Sequence, residues 1–375
     1  MSHKLVHEEP IDSCRTIVQF ILDHAGDDPQ HSLIREALLQ DLLWKLTFVG
    51  NSAKAVFMAQ GLYYALPPNL RKIFSVENLG LSTLMTLPTH AKRHRNIGII
   101  TIIKPELQAV LTALGRERDS AADEGRGSFR YWFADVERED RDPLSVVVTM
   151  VGYPRNVPCV IATNQILDLF SFDLLLIVGI AAGPKGKVEL GDVVAADRIH
   201  DYEHVRSELV EKKVVEKPRP LFMNVPPNIY TDIVNYNDSE MSKHFNALLR
   251  SVPQQVLPYD KTRIGWKRKY VKRSDIRPRF HRGTITAGER LFADNGLKTL
   301  RDSADCRILA GDQEDSGFAQ ACEAKKLEWC VFRGIADHGD ARKNDGWHFT
   351  ASLAAAAAAV SFLKHAYHRP SEQWF

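Results

Sequence analysis

From Ile97 to Ile103 every residue is isoleucine or threonine except Gly98. Such a β-branched run, with no polar alternation, suits a strand buried on both faces; a half-exposed strand would show a polar residue at every second position. Leu174–Val178 and Trp329–Phe332 repeat the pattern. Between these runs, Leu107–Leu114, Pro158–Leu169 and Phe318–Ala324 read as helices. Phe129–Val136 and Leu144–Val151 read as paired strands around the acidic turn Glu137–Asp142. Central strands alternating with helices predict an α/β domain.

Composition sets outer limits. A length of 375 residues suits two domains, and 44% hydrophobic residues suffice for a sizeable core. The formal net charge of +2 argues against wholesale binding of nucleic acid. The 5 cysteines show neither framework spacing nor a CxxC pair, as expected of free thiols in a reducing compartment. The opening MSHKLVHEEP has no apolar signal core, and no uninterrupted apolar run reaches about 18 residues. Ala354–Ala359 read as a helix interior. The expectation is a cytoplasmic protein without membrane association, specific nucleic-acid partner, cofactor or metal.

Residues 1–93 read as a separate helical accessory domain. Ile17, Val18, Ile21 and Leu22 follow the candidate N-cap Asp12-Ser13, and Leu38, Leu42 and Leu46 form one stripe. Ala53–Leu66 ends at Pro67-Pro68, and a fourth helix covers Leu70–Leu84. A small bundle core is the plainer use of these stripes; docking a protein partner or a second copy is the other. Ala91–Arg95 is a basic joint, and residues 94–375 form the second domain.

Within that domain, Gly311–Trp347 concentrates the chemistry. Glu314 opens the helix after Asp312-Gln313, and the Trp329 strand breaks at Arg333-Gly334 into Ile335-Ala336-Asp337. In an open α/β sheet, ligands bind at the carboxyl ends of strands, so both carboxylates could meet in one pocket. Taken singly, Glu314 could simply cap its helix and Asp337 could sit in a solvated turn.

Four ordered strings carry a resemblance across residues 94–368. They are Ile97–Glu106, Val178–Pro184 with Leu190–Val194, Gly283–Glu289, and Gly311–Asp337. Together they resemble the nucleoside phosphorylase/nucleosidase superfamily. The resemblance implies a three-layer α/β/α sandwich around a central mixed sheet, and a homo-oligomer. It implies that Asp337 protonates the departing base, Glu314 holds the ribose hydroxyls and Glu106 positions attacking water. Ile180, Ala182, Gly183, Gln313 and Arg333 would line or anchor the substrate site, with Leu291 and Phe292 packing around base and ribose. Gly179–Lys187 would let backbone approach the ligand. Phosphorolytic relatives cradle phosphate with glycine, arginine and serine; the Gly179 turn has no such serine, so water is the expected nucleophile.

Three departures from the pattern matter. Ala336 stands where a serine usually orients the aspartate, Gln313 replaces a methionine, and Asp315 replaces a small residue. The run Arg333–Asp340, then Lys343–Trp347 and an alanine-rich helix, resembles nucleosidase effector domains attached to immune sensors, some of which cleave ATP. The insert from Tyr202 to His281 ends in a basic stretch. There Lys267, Lys269, Arg277 and Arg279 are candidate phosphate ligands; a solvated face is the alternative. The resulting expectation is a purine N-ribosyl hydrolase acting on an adenine nucleotide or nucleoside in antiviral defence. Methylthioadenosine/adenosylhomocysteine nucleosidase, phosphorylase and non-catalytic nucleotide sensor are the alternatives.

Overall fold

The computed structural model describes residues 92–369, apart from 127, 211–212, 220, 255–256, 262–267, 291–295 and 341–344. The helices expected before residue 92 therefore lie outside the described residues, as do Leu291, Phe292 and Lys267. Of Lys269, only the backbone is described.

In chain order the elements are β1 (Arg93–Thr101), α1 (Lys104–Ala113), β2 (Glu124–Arg126), β3 (Phe129–Arg138), β4 (Arg141–Met150) and α2 (Asn156–Leu169). Next come β5 (Phe170–Ala182), β6 (Val193–Asp201), β7 (Val205–Val210), β8 (Lys213–Pro218), β9 (Leu221–Asn224), α3 (Pro227–Asn235) and α4 (Asp238–Ser251). The chain continues through β10 (Tyr259–Lys261), β11 (Arg268–Tyr270), β12 (Phe280–Ala287), α5 (Gly296–Ser303) and β13 (Ile308–Asp312). It closes with α6 (Asp315–Ala324), β14 (Trp329–Asp337) and α7 (His348–His365).

The main sheet is mixed, in the order β13-β12-β6-β14-β5-β1-β4-β3-β2, with β9 on β6. The isoleucine run pairs in parallel with both β4 and β5, and β5 pairs in parallel with β14. Each of these strands is buried where its apolar run lies, as two-sided burial demands. β3 and β4 form the expected antiparallel pair. β13 reaches back to β5 through Gly311 opposite Ala182. Strands β5, β14, β6, β12 and β13 thereby close into a ring.

Helices flank the sheet in two groups. α7 packs on β14 and β5 beside α1 and α4, while α6 packs with α2 and touches β12, β6 and β14. The alanine-rich α7 is long and apolar enough to span a membrane by length and composition, yet its apolar window is 83% buried inside the protein. Alanine serves here as a thin spacer that lets the helix approach the sheet closely.

Two strands run unbroken through a glycine at which a break was expected, for one reason. The Trp329 strand does not break at Arg333-Gly334 but runs to Asp337, and β5 continues past Val178 to Ala182. Glycine ended both runs in the sequence reading, but here it makes room. A Cβ on Gly334 would collide with the Ala351 carbonyl of α7. A Cβ on Gly179 would strike the Glu106 carboxylate and come within 2.5 Å of Arg333 Nη1. Gly179 thus admits two side chains, where backbone approach to a ligand was expected.

Gly334→Ala must push α7 off the sheet, since the obstructing atom is backbone. Overpacking of this kind costs about 1–3 kcal/mol. Chemical denaturation of the variant should show a loss of that size; an unchanged midpoint would contradict the packing described.

Candidate active site

The ends of β1, β5, β13 and β14 meet around a cavity of about 200 Å3. Its wall includes Ile102, Ile103, Glu106, Pro154, Ile180, Ala182, Arg290, Asp312, Gln313, Glu314, Asp337 and His348. The three expected carboxylates, Glu106, Glu314 and Asp337, are brought together from three segments of the chain. Each is buried.

Glu106 sits in the first turn of α1, where acidic side chains suit the helix N-terminus. Its Oε2 accepts the backbone N–H of Ile102 at 2.6 Å and of Ile103 at 3.0 Å; its Oε1 accepts Ile180 N–H at 2.8 Å. Glu106 therefore ties the start of α1 to the end of β5. Burial raises its proton affinity, and Arg333 and these N–H groups oppose the rise.

Glu314 is the N-cap of α6, yet its side chain makes no cap hydrogen bond. It turns instead toward the loop before α2, where Oε1 accepts Arg155 N–H at 3.0 Å. Arg155 takes a φ of 108° to present that N–H, a conformation sparsely populated by residues other than glycine. Burial, ahead of the counteracting Arg333, pushes the Glu314 pKa up to about 7.

Asp337 ends β14 and is not in a solvated turn: it is 7% exposed. The hydrogen bond missing at Ala336 is replaced by Gly339, whose N–H donates to Asp337 Oδ1 at 2.7 Å. Gly183 N–H donates to the Asp337 carbonyl at 2.9 Å, and His338 Nδ1 lies 3.0 Å from the Gly183 carbonyl. Gly183 thus joins β5 to β14 and is not part of the cavity wall. Gln313 is in the wall, its Nε2 donating to the Glu289 carbonyl at 2.9 Å.

Arg333 lies behind the wall at 0% exposure. Its Nε is 3.1 Å from both oxygens of Asp315, and Nη2 contacts Asp315 and Asp312. Glu314 Oε2 stands 3.6 Å from Nη2, and Glu106 Oε1 4.0 Å from Nη1. Burial works against the guanidinium charge, but Asp312 and Asp315 raise its proton affinity further than burial lowers it. Asp312 shows the reverse balance. Burial, helped by Asp315 and Glu314 against Arg333, raises its proton affinity well above the carboxylate range. Arg333 is thus an anchor among carboxylates rather than a wall residue.

Sequence reasoning missed Asp312, Arg290 and His348 in the wall. Asp312 had a usable signal, since it ends a strand two residues before Glu314. Sequence reasoning also misplaced Arg277 and Arg279. Thr286 and Ala287 pair with Gly311 and Asp312 at the cavity, whereas Arg279 precedes Phe280, the first residue of β12. At about 3.3 Å per residue, the seven positions from Arg279 to Thr286 span roughly 20 Å. Arg279 instead approaches Asp192 at 3.5 Å, and Arg277 Nε donates to the Ser274 carbonyl at 3.2 Å. Neither belongs to the cavity wall, because charge read along the chain does not reveal which end of a strand it occupies.

The family model of the phosphorylase superfamily matches residues 96–366. An ATP nucleosidase, Cap17, of Escherichia coli strain KTE188 is 26% identical over 274 residues, covering 72% of this chain and 51% of that protein. A death domain-containing ATP nucleosidase of Amphimedon queenslandica is 26% identical over 278 residues, covering 71% of this chain and 47% of that protein. The chain thus spans about half the length of the curated relatives it matches. Among solved structures, a 5′-methylthioadenosine/S-adenosylhomocysteine nucleosidase from Neisseria meningitidis is 16% identical with a TM-score of 0.49, over 72% of this chain and 99% of that one. The family match runs from β1 through the end of α7, and the chain belongs to the phosphorylase superfamily.

Proposed function

We propose that this chain is a purine N-ribosyl hydrolase that cleaves the N-glycosidic bond of an adenine nucleotide and releases adenine. The observation that carries the reading is the convergence of Glu106, Glu314 and Asp337 on one cavity. Family membership and the substrate named for the two ATP nucleosidase relatives support it. A role as a nucleotide-depleting effector in antiviral defence, and control by a partner or second copy through residues 1–93, rest on the motif resemblance.

The chemistry follows from what the bond needs. As the base leaves, its ring nitrogen must be neutralised while the ribose becomes oxocarbenium-like. Asp337, with Oδ1 fixed by Gly339 N–H, delivers that proton, a general-acid contribution of about 10²–10⁴-fold. Glu314 accepts the ribose hydroxyls, and Glu106 orients the attacking water. Among the described residues, the wall carries four carboxylates (Glu106, Asp312, Glu314 and Asp337) and one arginine, Arg290. Water is the nucleophile of this reading, because Gly179–Lys187 supplies no serine to cradle a phosphate. Arg290, its side chain 66% exposed and 3.7 Å from Glu203, is the wall's candidate contact for the nucleotide's phosphates.

Chromatography of ATP, AMP, adenosine and methylthioadenosine after incubation in phosphate-free buffer tests the reading. Free adenine with ribose triphosphate is expected. A phosphate requirement, or no base from any of the four, would overturn it. Asp337→Asn should fold normally and lose base release by at least about 10²-fold, since an amide cannot deliver a carboxylic proton.

The pH dependence has a definite sign. Glu314 accepts ribose hydroxyls when ionised, so kcat/KM should rise as pH passes about 7, and Glu314→Gln should lose that limb. Its folded pKa lies above the usual 4.5, so the stability it contributes is full below that value and declines as pH rises to about 7. At pH 8, Glu314→Gln should therefore melt above the wild type while turning over more slowly; a lower Tm would contradict the burial cost.

One charge-assisted hydrogen bond contributes about 1.5–3 kcal/mol, or roughly 10–10²-fold. Arg290→Ala should lower kcat/KM on ATP by that factor and leave adenosine nearly unchanged. Equal losses on both would remove Arg290 from phosphate recognition.

A further inference from the structure

Asp315 stands where the family resemblance leads one to expect a small side chain, and neither the acid role, the ribose contact nor the water site uses it. We propose that Asp315 is a positioning residue that holds the Arg333 guanidinium away from Glu314, keeping the Glu314 carboxylate available to the substrate. This rests on the nucleosidase reading.

The geometry is specific. Asp315 and Arg333 are both 0% exposed. Asp315 takes the Nε–Nη2 edge of the guanidinium, with Nε 3.1 Å from each carboxylate oxygen and Nη2 also in contact. A planar guanidinium gripped along one edge cannot turn. Its other nitrogen, Nη1, is left against the Ile180 carbonyl at 3.5 Å and Glu106 Oε1 at 4.0 Å. The distance to Glu314 Oε2 stays at 3.6 Å, beyond hydrogen-bond reach.

Glu314 is faced by Arg333 and Asp337 on β14, Glu106 on α1, Asp312 on β13, Asp315 on its own helix, and the Cys159 thiol and Arg155 N–H at the start of α2. Arg333 is the one buried cation in that set. In so dry a site, an arginine released from Asp315 would keep its Nη2 contact with Asp312 but be free to turn about it. Nη2, 3.6 Å from Glu314 Oε2, would close on Glu314 as a direct pair. Glu314 would then be ionised at lower pH, yet occupied. A plainer role for Asp315 is that of an acidic residue in the first turn of α6, favourable at any helix N-terminus. That role predicts a change in stability alone.

Two variants separate these roles, each read by 13C NMR titration of carboxyl-labelled glutamate and by KM and kcat for base release. Asp315→Asn should move the Glu314 midpoint below its starting value of about 7 and raise KM roughly 10-fold or more, with a smaller change in kcat. Asp315→Glu keeps the charge and the helix-end preference but displaces the carboxylate by one methylene. Under the proposal it too shifts the midpoint and raises KM. An unchanged midpoint and KM in Asp315→Glu would overturn the proposal, and this variant decides alone if Asp315→Asn fails to fold. The NMR midpoint is independent of turnover. Should the wild type release no base, the nucleosidase reading falls while the titration still tests the hold on Arg333.

Discussion

A guanidinium removed from water must be matched by anions, and in this domain Arg333 is matched by more than it can neutralise. Asp312, Asp315, Glu314 and Glu106 all lie within 4.0 Å of its nitrogens. They reach it from β13, from the first turn of α6 and from α1, so the pairing depends on strands far apart in sequence being neighbours in space. The excess of buried carboxylate over cation has a direct consequence. Burial, which the single Arg333 offsets only in part, makes Glu106, Asp312 and Glu314 hold their protons more tightly than free carboxylates do. Glu314, pushed up to about 7, is thereby able to change its charge near physiological pH.

The sheet makes this possible by closing on itself. Because β13 returns to β5, the carboxyl ends of parallel and antiparallel strands face a common space instead of lying along one open edge. Glycine recurs where the closure is tightest. Gly179 leaves space for Glu106 and Arg333, and Gly334 lets α7 press on β14 from the other side. The strand carrying Arg333 and Asp337 is consequently buried at every position, which is how a charged side chain comes to be held so rigidly.

Much of this was legible in the sequence. Unalternating apolar runs identify strands covered on both faces, and β1, β5 and β14 stand where those runs lie. Glu106, Glu314 and Asp337 could be named from ordered motifs, and the structure brings them to one cavity. Other features depend on three-dimensional neighbours that local pattern does not encode. Glycines within Val178–Gly179 and Arg333–Gly334 read as strand ends because glycine's usual meaning is a turn, whereas here the missing Cβ is filled by another part of the chain. Arg277 and Arg279 read as phosphate ligands because they precede a strand that ends at the site, but strand direction carries them to its far end. Asp312 reads in the sequence only as a residue preceding the helix that Glu314 opens, because its burial against Arg333 is a contact between distant segments.

The central claim is that the cavity enclosed by these acids is where an adenine base sits with its ring nitrogen against Asp337. A crystal structure of the protein with adenine bound tests it most directly. The account predicts the base within the cavity, between the end of β5 and Asp337, with a ring nitrogen in hydrogen-bond reach of the Asp337 carboxyl. Adenine bound elsewhere, or bound there with its ring nitrogens turned away from Asp337, would contradict it.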